Sequence, residues 1–264
     1  MRNKLYGLIR GLRLSVSIPA GILVHIGSRL DGIETNWLLA ITISVICGLT
    51  MLTNDYLDRY HDRIKRKTFA WDNDKLVRKC LIVGWSLTAT TIMFFLPHKE
   101  ALITICVVCL LYSHARHICG LSILLTACIS AGSVLLPSLG DSGQSSIELS
   151  GGILIAIFGR ELIKDAEDRD HDINYKQTFF TNSPREDHAS WLRMAGYCFL
   201  LVAFKTAVFT IDMSIPAQIV CLSGTACITL AGLLLLSTRH VPKKIRSKTV
   251  FDIGMFLFLA SLCI

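Results

Sequence analysis

The sequence has no linker that would separate two soluble domains, and it carries little charge. Charged residues make up 18% of its 264 residues, whereas 52% are hydrophobic and the mean hydropathy is +0.52. Length alone would allow one or two soluble domains. Because apolar runs close to the roughly 20 residues needed to cross a bilayer recur along the whole chain, the sequence instead predicts one all-α, polytopic membrane domain over residues 1–264.

Nine apolar segments are predicted to cross the bilayer as transmembrane helices around a central cavity. Short charged or Gly/Pro-containing connections separate them. The predicted spans are Leu12–Gly27, Asn36–Leu52, Cys80–Leu96, Ala101–Ser113, Ile118–Leu136, Ile147–Ile163, Trp191–Thr210, Ile215–Leu236 and Val250–Cys263.

The connections between successive predicted spans alternate between many Lys and Arg residues and few or none. If the nine segments alternate in direction, all 27 Lys and Arg except Arg29, Lys99 and Lys205 lie on one side of the membrane. The positive-inside rule makes that side cytoplasmic, with the N-terminus inside and the C-terminus outside. The net charge of +7 is then explained mostly by topology, so it does not predict a nucleic-acid partner.

A disulfide framework is also lacking, although the chain has ten cysteines. They fall within the predicted spans or at their edges, where cysteine acts as a small, polarizable apolar residue. A cleavable signal peptide is not evident either, because the first apolar stretch lacks a convincing cleavage site. We therefore expect that stretch to be a span.

Two clusters of acidic residues stand out in this apolar chain, each following a predicted span. A carboxylate at the centre of a bilayer costs about 2.5–3.5 kcal/mol, so such residues need a cause. A single acid in this position is usually a solvated cap of its span. Two clusters on the same predicted side, beside cytoplasmic loops 55–79 and 164–190, instead favour a binding site. They comprise Asn54, Asp55, Asp58 and Asp62, then Asp165, Asp168 and Asp172.

The spacing within each cluster places its members on one stripe of a helix. Positions 54, 58 and 62 are four apart with Asp55 beside them, and positions 165, 168 and 172 follow an i, i+3, i+7 pattern. Two such stripes facing each other would form a strongly negative cavity, and oxygen-only ligands favour Mg²⁺ with a phosphate-bearing substrate. Nearby basic side chains would hold the outer phosphate oxygens: Arg13, Lys65, Arg66, Arg116, Lys164 and Lys176.

The pattern Asn-Asp-x-x-Asp-x-x-x-Asp over residues 54–62 resembles the first signature of the UbiA superfamily of intramembrane prenyltransferases. The stretch 159–172, Gly-Arg-Glu-Leu-Ile-Lys-Asp-Ala-Glu-Asp-Arg-Asp-His-Asp, is similar to the second signature. It looks most like the form found in geranylgeranylglyceryl-phosphate synthases. Arg13 and the segment Tyr112-Ser113 with Arg116 also resemble family positions, and the resemblance covers the nine-helix layout.

The resemblance implies transfer of a prenyl group from an isoprenyl diphosphate to an acceptor in the membrane, with no protein partner. It implies Mg²⁺ held by Asn54, Asp55, Asp58, Asp62, Asp165, Asp168 and Asp172, of which Asp58, Asp62, Asp168 and Asp172 are the expected catalytic residues. It also implies an apolar tunnel for the prenyl tail, and diphosphate contacts from Arg13, Lys65, Tyr112, Arg116, Lys164 and Lys176. Ionisation of the allylic C–O bond would be followed by capture of the cation by the acceptor.

Three alternatives stay open at this point. The Arg-Pro-containing loop that usually follows the first motif is absent, and His171 replaces a glycine, so the acceptor is undetermined. A terpene cyclase of the same superfamily would need no acceptor. A CDP-alcohol phosphotransferase would carry its acids in one run beginning Asp-Gly-x-x-Ala-Arg, which this sequence lacks. A cation transporter would place acids at the bilayer midplane and not at the cytoplasmic rim.

Overall fold

The computed structural model of the chain describes residues 2–60, 69–115, 121–139, 143–172, 188–209, 214–237 and 246–263. Over these ranges the regular structure is helical, without strands, which confirms the all-α prediction. A 3₁₀ turn covers Leu136–Ser138. The α-helices are α1 Arg2–Gly11, α2 Leu14–Leu30, α3 Trp37–Leu57, α4 Phe69–Asp72, α5 Asp74–Phe95, α6 Lys99–Ala115, α7 Leu121–Leu135, α8 Gln144–Asp172, α9 His188–Phe209, α10 Ile215–Leu236 and α11 Arg246–Ser261.

Each of the nine predicted spans overlaps one of these helices. Among the described residues, four stretches are both long and apolar enough to cross a membrane: Trp37–Leu57, Asp74–Phe95, Leu121–Ser138 and Ile215–Leu236. The apolar helix α2 is shorter, at 17 residues. The chain is therefore an integral membrane protein, while nine crossings and a central cavity stay predictions.

The structure is partly helical within the predicted cytoplasmic loops 55–79 and 164–190. Helix α5 already begins at Asp74, and α8 continues to Asp172. The predicted bounds followed the apolar runs, but a helix does not stop where its hydrophobicity stops. Asp74 lies in the first turn of α5, where a negative charge is favourable near the positive end of the helix dipole.

The described residues divide into two compact units, and the prediction of one domain over 1–264 stays a prediction. In the first unit, residues 1–115 and 132–147, helix α3 packs against α2, α5 and α6. Helix α3 begins after Asn36, whose side-chain oxygen accepts a hydrogen bond from the Leu39 backbone N–H at 3.0 Å. This N-cap satisfies one of the unpaired donors of the first turn.

The second unit, residues 116–131 and 148–264, contains most of α8 together with α9, α10 and α11. Helix α10 packs against both α9 and α11. The core of the second unit includes Leu162 of α8 and Leu192 of α9. The rings of Phe199 and Phe251 also stack there, with their centroids 3.7 Å apart. This core holds the helix that carries the second acidic motif.

Candidate active site

The first acidic motif lies at the end of α3. Helix α3 stops at Leu57, and Asp58 occupies its C-cap, where its backbone N–H donates to the Asn54 carbonyl at 2.9 Å. Asn54 is buried in the last turn. Asp58 thus keeps the helical bond to Asn54, so positions 54 and 58 lie one turn apart as predicted, and Asp62 lies outside the described residues.

Arg13 and Asp55 form an ion pair in the first unit. Arg13 Nη2 lies 2.8 Å from Asp55 Oδ1, and Nη1 lies 3.8 Å from the sulfur of Met51. Arg13 precedes α2 in the left-handed region, at φ 46° and ψ 60°, an unusual conformation for a residue with a side chain. Arg13, a predicted contact of the diphosphate, is therefore paired with Asp55, a predicted metal ligand.

Arg59 fixes the chain that leaves the first motif. Its Nε lies 3.0 Å from Asp74 Oδ1, and its Nη1 donates to the Tyr56 carbonyl at 2.8 Å. The guanidinium also lies over the rings of Tyr56 and Tyr60, 4.3 and 4.7 Å from their centroids. Because cation–π contacts and an ion pair act together here, the end of α3 is tied to the start of α5.

The second motif lies on one continuous helix, as the sequence predicts, because α8 includes positions 165, 168 and 172. Glu161 and Asp165, one turn apart, are both buried. Glu161 accepts from Arg160 Nη1 at 3.1 Å and from Lys164 Nζ at 3.0 Å. Lys164, a predicted diphosphate contact, therefore lies beside the motif and is bound to one of its carboxylates.

The other predicted site residues are placed less completely. Tyr112 is partly buried in α6. Asp168 and Asp172 have helical backbones, but their side chains lie outside the described part of the structure. Lys65, Arg116 and Lys176 lie outside the described residues altogether. Their predicted roles stay predictions.

One buried oxygen in the first motif fits the chemistry of a cation site. Asn54 is 7% exposed, and its Oδ1 has no hydrogen-bond partner among the described residues. Leaving such an acceptor buried and unsatisfied costs about 1–3 kcal/mol. An amide oxygen beside carboxylates is a ligand type that Mg²⁺ accepts. In the described ranges no group of three or more His, Cys, Asp and Glu residues could hold a metal, so the ligand set stays a prediction.

We expect Asn54→Leu to leave the thermal stability of the metal-free protein unchanged, or to raise it. The variant removes a buried oxygen that has no partner among the described residues, and so relieves a cost of about 1–3 kcal/mol. It should also remove most of the stabilisation that Mg²⁺ gives the wild type, about 2.7 kcal/mol at a hundred times the dissociation constant. Thermal unfolding in detergent micelles, with and without Mg²⁺, measures both effects.

Thr50→Val is the matched control for Asn54→Leu. Thr50 is also buried in α3, one turn earlier, but its hydroxyl donates to the Ile46 carbonyl at 2.7 Å. This variant should lose about 1 kcal/mol of stability and keep the full response to Mg²⁺. An Asn54→Leu protein that responds to Mg²⁺ as the wild type does would exclude Asn54 as a ligand.

The sequence analysis did not predict two ion pairs that involve α8, the helix that carries the second motif. Arg160 Nε lies 2.8 Å from Asp252 Oδ1, and Lys248 Nζ lies 2.9 Å from Glu167 Oε2. The signal in the sequence is Asp252 itself, an acid near the start of the last apolar segment. Because a charge in such a segment requires a partner, Asp252 predicts a basic residue beside it, although not which one.

The comparisons with known proteins support the fold. No family model and no curated protein matches the sequence. A solved structure of digeranylgeranylglyceryl phosphate synthase, studied in membranes, is similar, with a TM-score of 0.72 at 17% sequence identity. The match covers 98% of this chain and 97% of that one. The chain therefore shares the fold of that membrane synthase over almost its whole length, in agreement with the fold that the resemblance of its two acidic motifs implies.

Proposed function

We propose that the protein transfers a prenyl group from an isoprenyl diphosphate to an acceptor within the membrane, in a reaction that depends on Mg²⁺. The observation that carries the proposal is the coincidence of this fold with two acidic motifs at helix ends. The buried oxygen of Asn54, which has no partner in the described residues, supports a cation beside the first motif.

The proposed ligands of the metal are the seven polar residues of the two motifs: Asn54, Asp55, Asp58, Asp62, Asp165, Asp168 and Asp172. Mg²⁺, when bound, supplies positive charge that stabilises a departing diphosphate. We assign the outer diphosphate oxygens to Arg13, Lys65, Tyr112, Arg116, Lys164 and Lys176. Arg13 would keep its bond to Asp55 and bind the substrate with other N–H groups, since one guanidinium offers several donors.

The chemical step breaks the allylic C–O bond, and the electron pair leaves with the diphosphate. A nucleophilic atom of the acceptor then gives a pair to the allylic carbon and loses a proton. Basic side chains contribute by stabilising charge on the leaving group, and the apolar helices contribute by keeping water from the cation. We assign this chemistry and the N-terminus to the cytoplasmic side, and the C-terminus to the outside, because the predicted distribution of Lys and Arg follows the positive-inside rule.

Product analysis of the purified protein in micelles tests this proposal. The substrates are a panel of radiolabelled prenyl diphosphates, each with and without aromatic, glycerol-based or indolic acceptors. We expect a labelled, prenylated product and one released diphosphate per turnover, both abolished by EDTA and restored by Mg²⁺. Diphosphate release with a hydrocarbon product and no need for acceptor would identify a cyclase instead. No release from any prenyl diphosphate would overturn the proposal.

A further inference from the structure

The last helix, α11, is joined to the motif helix α8 by two ion pairs within the second unit. Asp252 pairs with Arg160 at 2.8 Å, and Lys248 pairs with Glu167 at 2.9 Å. Arg160, the earlier of the two α8 residues, pairs with Asp252, the later of the two α11 residues. The two helices therefore run in opposite directions where they meet.

The ion pairs lie on a different face of α8 from the acidic motif. At about 100° per residue, positions 160 and 167 fall within about 20° of each other, while positions 165, 168 and 172 form a stripe centred about 120° away. The two anchor points are separated by about 10 Å along the helix axis. Two attachments at different heights on one face fix both the rotation and the axial position of α8.

Helix α11 is itself held in place by the core of its unit. Phe251, next to Asp252, is 1% exposed and stacks on Phe199 of α9. Gly224 of α10 and Gly254 of α11 allow a close approach, because a Cβ built on Gly254 would lie 2.8 Å from the Gly224 carbonyl oxygen. A helix fixed in this way is a rigid reference against which α8 is aligned.

The ion pairs also resist rearrangement. Arg160 lies in an apolar stretch of α8 and Asp252 near the start of an apolar stretch of α11. An unpaired charge in an apolar segment is unfavourable even where, as here, the side chains of Arg160 and Asp252 are 26% and 43% exposed. Arg160 further donates to the buried carboxylate of Glu161, whose other oxygen accepts from Lys164. A change at Asp252 therefore reaches a side chain one turn from Asp165.

We infer that Asp252 and Lys248 are positioning residues, which set the rotation of α8 and so align the second acidic motif for its ligand. The inference rests on the proposed function. A rotation of α8 by 10–20° would move a carboxylate at a radius of about 6 Å by about 1–2 Å. Since Mg²⁺ demands oxygen ligands at about 2.0–2.1 Å in near-octahedral geometry, such a shift is large. In this inference both residues act through α8 and not by contact with substrate.

The experiment changes only α11, so that the motif stays intact. Lys248→Glu and Asp252→Lys reverse a charge and break a pair, while Lys248→Met removes one charge more gently. Lys248→Arg and Asp252→Glu keep both pairs. Lys99→Glu, at the exposed start of α6 in the other unit, is the control with the same charge change as Lys248→Glu. The full-length protein is purified in micelles, and Mn²⁺ binding without substrate is titrated by electron paramagnetic resonance.

We expect the pair-breaking variants to weaken Mn²⁺ binding about tenfold, as the loss of residues that orient metal ligands typically does. The conservative variants and Lys99→Glu should bind Mn²⁺ as the wild type does, and the Mg²⁺ needed for half-maximal diphosphate release should shift in parallel. A purely structural role would lower thermal stability but leave the Mn²⁺ affinity of the folded fraction unchanged, and would overturn the inference. A wild type that binds no Mn²⁺ would overturn the proposed function itself.

Discussion

Asp58→Ala and Asp168→Ala should each lower the rate of Mg²⁺-dependent diphosphate release by about 100-fold or more. Each substitution removes one carboxylate from those that we propose to stabilise charge on the leaving group, and the loss of a single preorganised electrostatic contact commonly costs that much. Asp58 caps α3 through its backbone N–H, so alanine preserves the bond to the Asn54 carbonyl. Release of diphosphate from a labelled prenyl diphosphate at saturating Mg²⁺ is the measurement.

Glu100→Ala is the control for these two variants. Glu100 is an exposed carboxylate in the first turn of α6, outside both motifs, and its loss should leave the rate unchanged. Asp58→Asn and Asp168→Asn keep an oxygen ligand but lose a charge, so higher Mg²⁺ should recover part of their activity. Full activity of either alanine variant, in protein of wild-type thermal stability, would mean that its motif is not required.

Gly27→Ala should lower the thermal stability of the protein clearly. A Cβ atom at Gly27 would overlap the carbonyl oxygen of Val134 and lie 2.9 Å from its carbonyl carbon. Both contacts are to backbone, so no side-chain rotation relieves them, and α2 has to move away from the end of α7. Forced overpacking of this kind costs about 1–3 kcal/mol, occasionally more. Thermal unfolding in micelles measures the loss.

Gly132→Ala is the matched control for this effect. Gly132 lies in α7, two residues before Val134, and a Cβ atom there would meet nothing within 4 Å. Alanine is favoured over glycine in a helix by about 1 kcal/mol, so this variant should be neutral or more stable. If the Gly27→Ala and Gly132→Ala proteins unfold at the same temperature, α2 does not approach Val134 as closely as described.

The sequence predicted the helices well, including the one that carries the second motif, because helix formation is a local property. An apolar run of fixed length predicts a membrane helix without reference to any other part of the chain. Likewise, positions 165, 168 and 172 share a stripe on any regular helix, and α8 is regular through Asp172. The end of α3 at Leu57 was not predicted, because no hydrophobic period indicates it, and the stripe of the first motif as far as Asp62 stays a prediction.

By itself, the sequence determined that this is a helical membrane protein, and which of its acids have the spacing of a shared site. Only the tertiary structure decided which charges pair: Arg13 with Asp55, Arg160 with Asp252 and Lys248 with Glu167. Spacing along one helix fixes the face on which a residue lies. Which residue of a neighbouring helix faces it depends on the rotation of that helix and on its position along its axis. The packing of the whole unit sets this rotation and this position.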